Sequence, residues 1–395
     1  MSCTAVLWAA LLLPPGLAGA GGVLGSIEVI EPRIGPRVVY RAMSSPSLVV
    51  VRLSVPVTER PGTRGATRLL MALSRGELEG GAAAIGARVE LESTASHAVY
   101  TIAGPAESFD AMVALLRRAV SSPALSARDL AAVQARTERE ALAALELPGA
   151  RLRLALRAAL FPAPDAPDVP PAPDRLDVEH LAWFWRRYFV PERMTAVVVG
   201  AVGIDDVAAA FEGWQPPPPG PRPPAAAEPA DAPPRAEAVA KWVGIGWSVD
   251  RRDPAALAVA SALVTSRLAA SGLARARAEL WWEPDRVAFV VLGAALPGSG
   301  ANAAGVLRQA IERAVAELKD DEVAAARRAL YHSLLYEART PQGLASLIGR
   351  FADQTGDPRG AARFLDALPG VGARRVRDAL RLLSPATASV AEVGP

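Results

Sequence analysis

Hydrophobic and polar positions along the chain fall into two successive blocks of similar grammar. In the first, residues 45–56 (SPSLVVVRLSVP) form a β-branched run bounded by prolines, which predicts a strand. A helical segment follows over 64–74. Residues 88–102 (RVELESTASHAVYTI) alternate as one or two strands. Apolar spacing near 3.6 residues predicts helices over 108–120, 127–145, 150–160 and 177–189, then a buried strand over 195–202 and a helix over 205–211. The second block opens with a strand over 241–249 and a helix over 254–269. Strands over 279–282 and 286–295 come next, then helices over 301–318, 321–337, 341–351 and 372–383, and a closing strand over 386–393. Strands and helices without strict βα alternation predict an α+β fold with mainly antiparallel sheets packed against helices. Its repetition predicts two tandem, similar domains.

Between the blocks, residues 216–234 hold ten prolines in nineteen positions, a stretch that propagates neither helix nor central strand. The expected organisation is a first domain over 23–213, a Pro-rich linker over 214–236 and a second domain over 237–395. A lesser Pro/Asp/Ala stretch over 162–174 reads as a long surface loop. At the start, the apolar run 5–13, followed by Pro14, Pro15 and the small-residue sequence Ala18-Gly19-Ala20, has the form of a signal peptide over residues 1–20. That run is shorter than the roughly 20 residues that span a bilayer. The expected destination is therefore the periplasm or the exterior, with no membrane span once the signal is removed.

Composition narrows the chemistry. Of 395 residues, 43 are Lys or Arg and 41 are Asp or Glu, a net charge of +2 that argues against a nucleic-acid binder working by bulk charge. The single cysteine, Cys3, falls in the signal, which excludes thiol catalysis, disulfides and Cys-based zinc modules in the mature chain. His97, His180 and His332 are far apart, so a histidine metal site would need distant residues to converge.

Several ordered segments then matter together: PGTRGATRLLMALSRG (61–76), IGARVELESTASHAVYTI (85–102), LSARDLAAVQARTEREALAALELPGARLRLALRAALFP (125–162) and WRRYFVPERMTAVVVGAV (185–202). The set resembles the amino-terminal domain of the M16 metallopeptidases, the insulinase and mitochondrial-processing-peptidase family. SRLAASGLARARAELWW (266–282), TPQGLASLIGRFADQTGDP (340–358) and the closing strand resemble its carboxy-terminal domain. The resemblance implies an inverted zinc motif, HxxEH, on the first helix, with a further Glu ligand some seventy residues downstream. In this frame the motif positions hold Arg68, Met71 and Ala72, which offer zinc no usable lone pair. Glu140, or less favourably Glu138, stands in the region of the third ligand, as a relic or as a solvated helix charge. Pairing of Arg68 with Glu140 in place of the metal is one expectation; an exposed helix-face arginine is the other.

The resemblance also implies substrate contacts. Where the family has GGxxNAxT, this chain reads GARVELES (86–93), with Glu90 in place of Asn and Ser93 and His97 beside it. The family's carbonyl-gripping Arg and Tyr, seven residues apart, correspond to Arg275 and Trp282, so the Tyr hydroxyl is lost. Signal and resemblance together imply an exported chain without catalytic residues or cofactor of its own. It is expected to be the non-catalytic, peptide-contacting subunit of a heterodimeric metallopeptidase whose partner, a homologue with an intact motif, carries the zinc. The alternatives are a stand-alone peptide-binding or scaffold homodimer and, least favoured, an active metallopeptidase with a rebuilt site.

Overall fold

A computed structural model of the chain describes residues 24–43, 47–60, 62–94, 96–123, 125–161, 175–223, 240–282, 286–296 and 302–394. The signal region 1–20, the loop 162–174 and residues 224–236 of the Pro-rich segment lie outside the described residues. The first half builds a sheet from β1 (Glu28–Ile30), β2 (Arg37–Ala42), β3 (Leu48–Pro56), β4 (Arg88–Ser93), β5 (His97–Pro105) and β6 (Thr195–Gly200), in the order β1-β2-β6-β3-β5-β4. Neighbours run antiparallel except β2 and β6, which are parallel. Its helices are α1 (Ala66–Ala84), α2 (Phe109–Ser121), α3 (Ala127–Glu146), α4 (Pro148–Leu160), α5 (Val178–Tyr188) and α6 (Ile204–Phe211).

The second half has a four-stranded antiparallel sheet. Its strands are β7 (Lys241–Val249), β8 (Ala274–Trp282), β9 (Val287–Ala295) and β10 (Ser389–Val393), in the order β10-β7-β9-β8. Around it lie α7 (Pro254–Leu268), α8 (Ala303–Ala316), α9 (Asp320–Glu337), α10 (Pro341–Thr355), α11 (Gly360–Ala367) and α12 (Ala373–Arg381). Among the described residues no helix is long and apolar enough to cross a membrane.

The expected α+β class with mainly antiparallel sheets is what the structure has. Some local expectations are corrected, and strand β8 begins at Ala274 rather than at the expected position 279. Helix α1 runs ten residues beyond the expected end, through Gly76, Gly80 and Gly81; a Cβ at Gly81 would lie 2.5 Å from a Leu115 methyl carbon, so that side chain would have to shift. Strands β1 and β2, and helix α11, are not predicted by the pattern. Each is short and set beside Pro or Gly, so periodicity has little length in which to register.

Residues 49–55 of β3 and the whole of β9 are buried without alternation, which requires cover on both faces of each sheet. One face of the first sheet, with Val51, Leu53 and Ile102, packs on α1 and α2 through Leu69, Leu70, Met71 and Leu116. The opposite face, with Val50, Val197 and Val199, packs with helices of the second half, including Leu344, Leu347 and Ile348 of α10. The exchange is reciprocal. On the second sheet, Ala288, Val290 and Leu292 are covered by Leu152, Leu156 and Leu160 of α4, a helix from the first half. Gly244 and Gly246 of β7 make room for α4, since a Cβ at either would come within 2.9 Å and 2.5 Å of Leu156 and Leu160 respectively.

Each exchanged helix is also fixed by charge. On α10, Asp353 accepts from Arg52 Nη2 at 2.7 Å and from Ser54 Oγ at 2.6 Å. The two charged side chains are 8% and 10% exposed, so they are removed from water and depend on each other. On α4, Arg153 forms a two-pronged pair with Glu279 of β8, at 2.8 and 2.5 Å, while Arg277 and the Trp281 indole also donate to that carboxylate. Burial pushes Glu279 upward, but the hydrogen bonds from Arg153, Trp281 and Arg277 outweigh it and bring the pKa to about 2.

Asp353→Ala, which leaves Arg52 buried without a counter-ion, is expected to cost about 3–5 kcal/mol, read from the urea midpoint. The pair Arg52→Met with Asp353→Leu should recover most of that loss. Because the carboxyl of Glu279 is depressed in the folded state, its contribution is full above its unfolded pKa near 4.5 and is lost as pH falls toward 2. The stability gap between wild type and Glu279→Gln should therefore be largest near neutrality and shrink across that acid window, as thermal unfolding at pH 7, 4 and 2.5 would show.

Candidate functional site

The helix that carries the family's metal motif is present, and its residues can be read off directly. Its first turn is held by Glu59, whose carboxylate accepts from the backbone amides of Gly65 and Thr67 at 2.8 and 2.9 Å. Arg68 points out exposed, Met71 is 4% exposed within the first-half core, and Ala72 is partly buried. A permanent cation, a thioether committed to packing and a methyl group do not fit a zinc site. Glu140 and Glu138 are exposed on α3. The ion partner of Glu140 is Arg136, one turn earlier at 3.9 Å, and Arg68 makes no ion pair among the described residues. The structure thus shows a solvated helix face rather than an Arg68–Glu140 substitute for the metal.

The histidines do not converge either. His97 begins β5. His180 is buried in the first turn of α5, with its Nδ1 2.7 Å from Asp177, the helix N-cap. His332 is exposed on α9 beside the Tyr331 ring. Among the described residues no group of three or more His, Cys, Asp or Glu side chains is arranged to hold a metal ion.

A concave feature lies on the other face of the first sheet, where the two halves meet. A cavity of about 610 Å³ is bounded by the edge strand β4 and by β5, by α4, by the end of β8 and by α9 and α10. Alternation places Arg52, Thr101 and Glu90 side by side across three strands, because Arg52 is registered with Thr101 and Thr101 with Glu90. Glu92 lies two residues further along the same face. Across the gap, Arg350 is held by both carboxylate oxygens of Glu337 at 3.0 Å, and Gln342 Nε2 donates to Glu90 at 3.1 Å. Trp282 and Arg157 complete the wall. A smaller cavity of about 220 Å³ adjoins, sharing His97 and Asp353.

His97 stands between the two cavities. Its Nδ1 is 2.9 Å from Ser96 Oγ. Burial lowers its pKa from the ordinary histidine value; the Asp353 carboxylate pulls the other way and the Arg52 guanidinium adds to the lowering. The imidazole is therefore neutral at pH 7 and available as both donor and acceptor.

Three of the expected substrate-contacting residues, Glu90, His97 and Trp282, line this cavity, and Ser93 and Arg275 do not. Ser93 is exposed at the end of β4, opposite Ala98. Arg275 sits at a bulge with φ +53°, its guanidinium 5.8 Å above the Trp242 ring. Trp242 belongs to the α4-facing cluster, whereas Trp282 packs toward the opposite face of the second sheet. The seven-residue spacing of Arg275 and Trp282 thus does not bring them together. Sequence reasoning missed Arg52, Arg157, Glu337, Arg350 and Asp353. Only Arg52 carried a visible signal, a lone charge inside the apolar run LVVVRLSVP.

No family model matches the sequence and no curated relative is found. Solved structures do match the fold. A protease from Helicobacter pylori superposes with a TM-score of 0.81 at 15% identity, over 94% of this chain and 99% of its own. An M16-like peptidase from Alicyclobacillus acidocaldarius gives 0.75 at 16%, over 94% and 98%. A peptidase M16 inactive domain from Pseudomonas fluorescens gives 0.76 at 15%, over 94% and 98%. The chain has the M16 peptidase-like fold along nearly its whole length.

His97 gives the cavity a pH signature. With its folded pKa depressed, protons bind the unfolded chain first, so stability falls as pH drops below about 6.5 and levels off below the folded pKa. His97→Gln should flatten that loss between pH 7 and 5 in denaturant titrations. The His97 ring resonances in NMR should titrate below the ordinary histidine range.

Proposed function

We propose that this chain is a non-catalytic member of the M16 peptidase family, exported by its first twenty residues, which holds extended peptide for a partner whose HxxEH motif carries the zinc. One observation carries the reading: the fold is kept over 94% of the chain while the motif positions on α1 hold Arg68, Met71 and Ala72. A helix whose would-be base is a core methionine serves packing, and hydrolysis then depends on a second subunit.

The peptide role is supported by the cavity between the halves. Among the described residues, edge strand β4 pairs with β5 alone in its sheet, which leaves its outer edge for an added strand of peptide. Beside it, Glu90 and Glu92 face Arg157 and Arg350, with Trp282 as an apolar platform. Such a wall suits a polar, unfolded chain more than one fixed small molecule.

The test uses the mature protein and a fluorescent unfolded peptide of about ten residues, long enough to lie along β4. Purified alone, the chain should carry no stoichiometric zinc by elemental analysis and should bind the peptide without cutting it. Glu90→Lys with Trp282→Ala should weaken binding about tenfold, or ~1.4 kcal/mol, measured below the variant's own melting transition. Co-expression with a homologue bearing HxxEH should give a co-purifying pair that cleaves the peptide. Chelator-sensitive cleavage by the isolated chain overturns the non-catalytic assignment, and a stable homodimer that ignores the homologue overturns the partner assignment.

A further inference from the structure

A second concavity lies in the second half and shares no residue with the cavity between the halves. It is a groove of about 430 Å³ between α8 and the end of α12, within the roughly 300–1,000 Å³ typical of small-ligand sites. Its floor is the buried ring of Trp247, fixed by an indole hydrogen bond to the Ser384 carbonyl at 2.9 Å. Ile311, Val315, Leu380 and Leu383 make the walls apolar. The rim differs in character. The two flanking helices carry six arginines (308, 313, 374, 375, 377 and 381) against two acids, Glu312 and Asp378. Of these arginines, Arg375 is committed to Asp253. The charged residues that line the groove itself are Arg308, Glu312 and Arg381; Arg308 makes no ion pair among the described residues, and Arg381 reaches Asp378 at 3.5 Å and is well exposed.

An apolar slot closed by a buried indole, with the exposed guanidinium groups of Arg308 and Arg381 at its mouth, is complementary to a molecule with an aliphatic body and one anionic end. The slot supplies burial for the chain, and the arginine fork matches a carboxylate. We propose that this groove binds a free medium-chain fatty carboxylate, with the alkyl chain against Trp247 and the carboxylate at Arg308 and Arg381. A neutral alkyl chain would leave the rim charges unused, and a larger anion without an alkyl tail would leave the slot hydrated.

Decanoate titrated into the full mature chain tests the assignment by calorimetry and indole fluorescence. One saturable site is expected. Trp247→Phe should remove most of the fluorescence change. Ala316→Trp, built from an exposed position on the groove wall, should abolish binding while circular dichroism stays unchanged. Arg308→Glu with Arg381→Glu, both exposed, should weaken decanoate about tenfold or more. Decanol should bind the wild type more weakly than decanoate by a similar factor. The proposal is overturned if no saturable site is found below the micellar concentration, or if binding survives Ala316→Trp. It is equally overturned if decanol matches decanoate, or if the chain sediments with anionic phospholipid vesicles irrespective of Ala316→Trp, which would make the patch a membrane contact.

Discussion

The fold rests on an exchange that neither half completes alone. Each sheet has two apolar faces, and each borrows the cover for one of them: the first sheet takes α10 from the second half, and the second sheet takes α4 from the first. Without that exchange, Val50, Val197 and Val199 on one sheet and Ala288, Val290 and Leu292 on the other would face water, at roughly 25 cal/mol for every Å² uncovered. Apolar burial is indifferent to register, so polar contacts fix it. Asp353 meets Arg52 and Ser54 in one place, and Glu279 meets Arg153 in the other. A misplaced α10 would strand a guanidinium that is 8% exposed, a penalty that excludes near-miss dockings more sharply than lost methyl contacts do.

The same exchange creates the cavity. Because α10 crosses the first sheet over β3 and β6, the outer strands β5 and β4 are left open on that face, and the end of β8 and α4 close the space from the other side. The clasp and the cavity therefore share residues: Arg52 and Asp353 hold the halves together and also line the wall, with His97 beside them. Whatever occupies the cavity touches the groups that set how the halves dock. Its charges are mostly paired internally, as Arg350 is with Glu337 and Arg52 with Asp353. That leaves the backbone edge of β4 and the Trp282 ring as the adaptable contacts, a division suited to ligands of varied sequence.

How much of the molecule is legible in its sequence depends on the range of the physics involved. Strand β7 and helices such as α2, α3 and α5 are readable to within a residue or two, because the apolar positions in their sequences have period and length. Helix α1 reads short because its glycines lower local propensity, whereas in the fold Gly81 lies close against Leu115. The site is legible on one side only. Glu90 and His97 can be found because they sit in a recognisable strand, and Arg52 stands out as a charge in an apolar run. Asp353, its partner 301 residues away, looks in sequence like any other carboxylate on an amphipathic helix. The Arg275 and Trp282 spacing shows the opposite failure. Seven residues look like proximity on paper, but along a strand they span more than about 20 Å, and a bulge at Arg275 turns its side chain onto Trp242 instead.

The residues at the motif positions of α1 do more than lack metal-ligating atoms. A surface helix that had merely lost its histidines could keep polar residues at those positions, with the site open to water. Here Met71 is 4% exposed and packs with Leu69, Leu70 and the inner face of the sheet, so the position of the would-be general base has become core. A carboxylate there would have to leave water without a partner, at a cost of several kcal/mol, or take up a proton and cease to be a base. Arg68, one turn earlier, points to solvent and leaves that interior undisturbed. On this face α1 serves packing, and the edge strand and the cavity lie on the other face of the sheet.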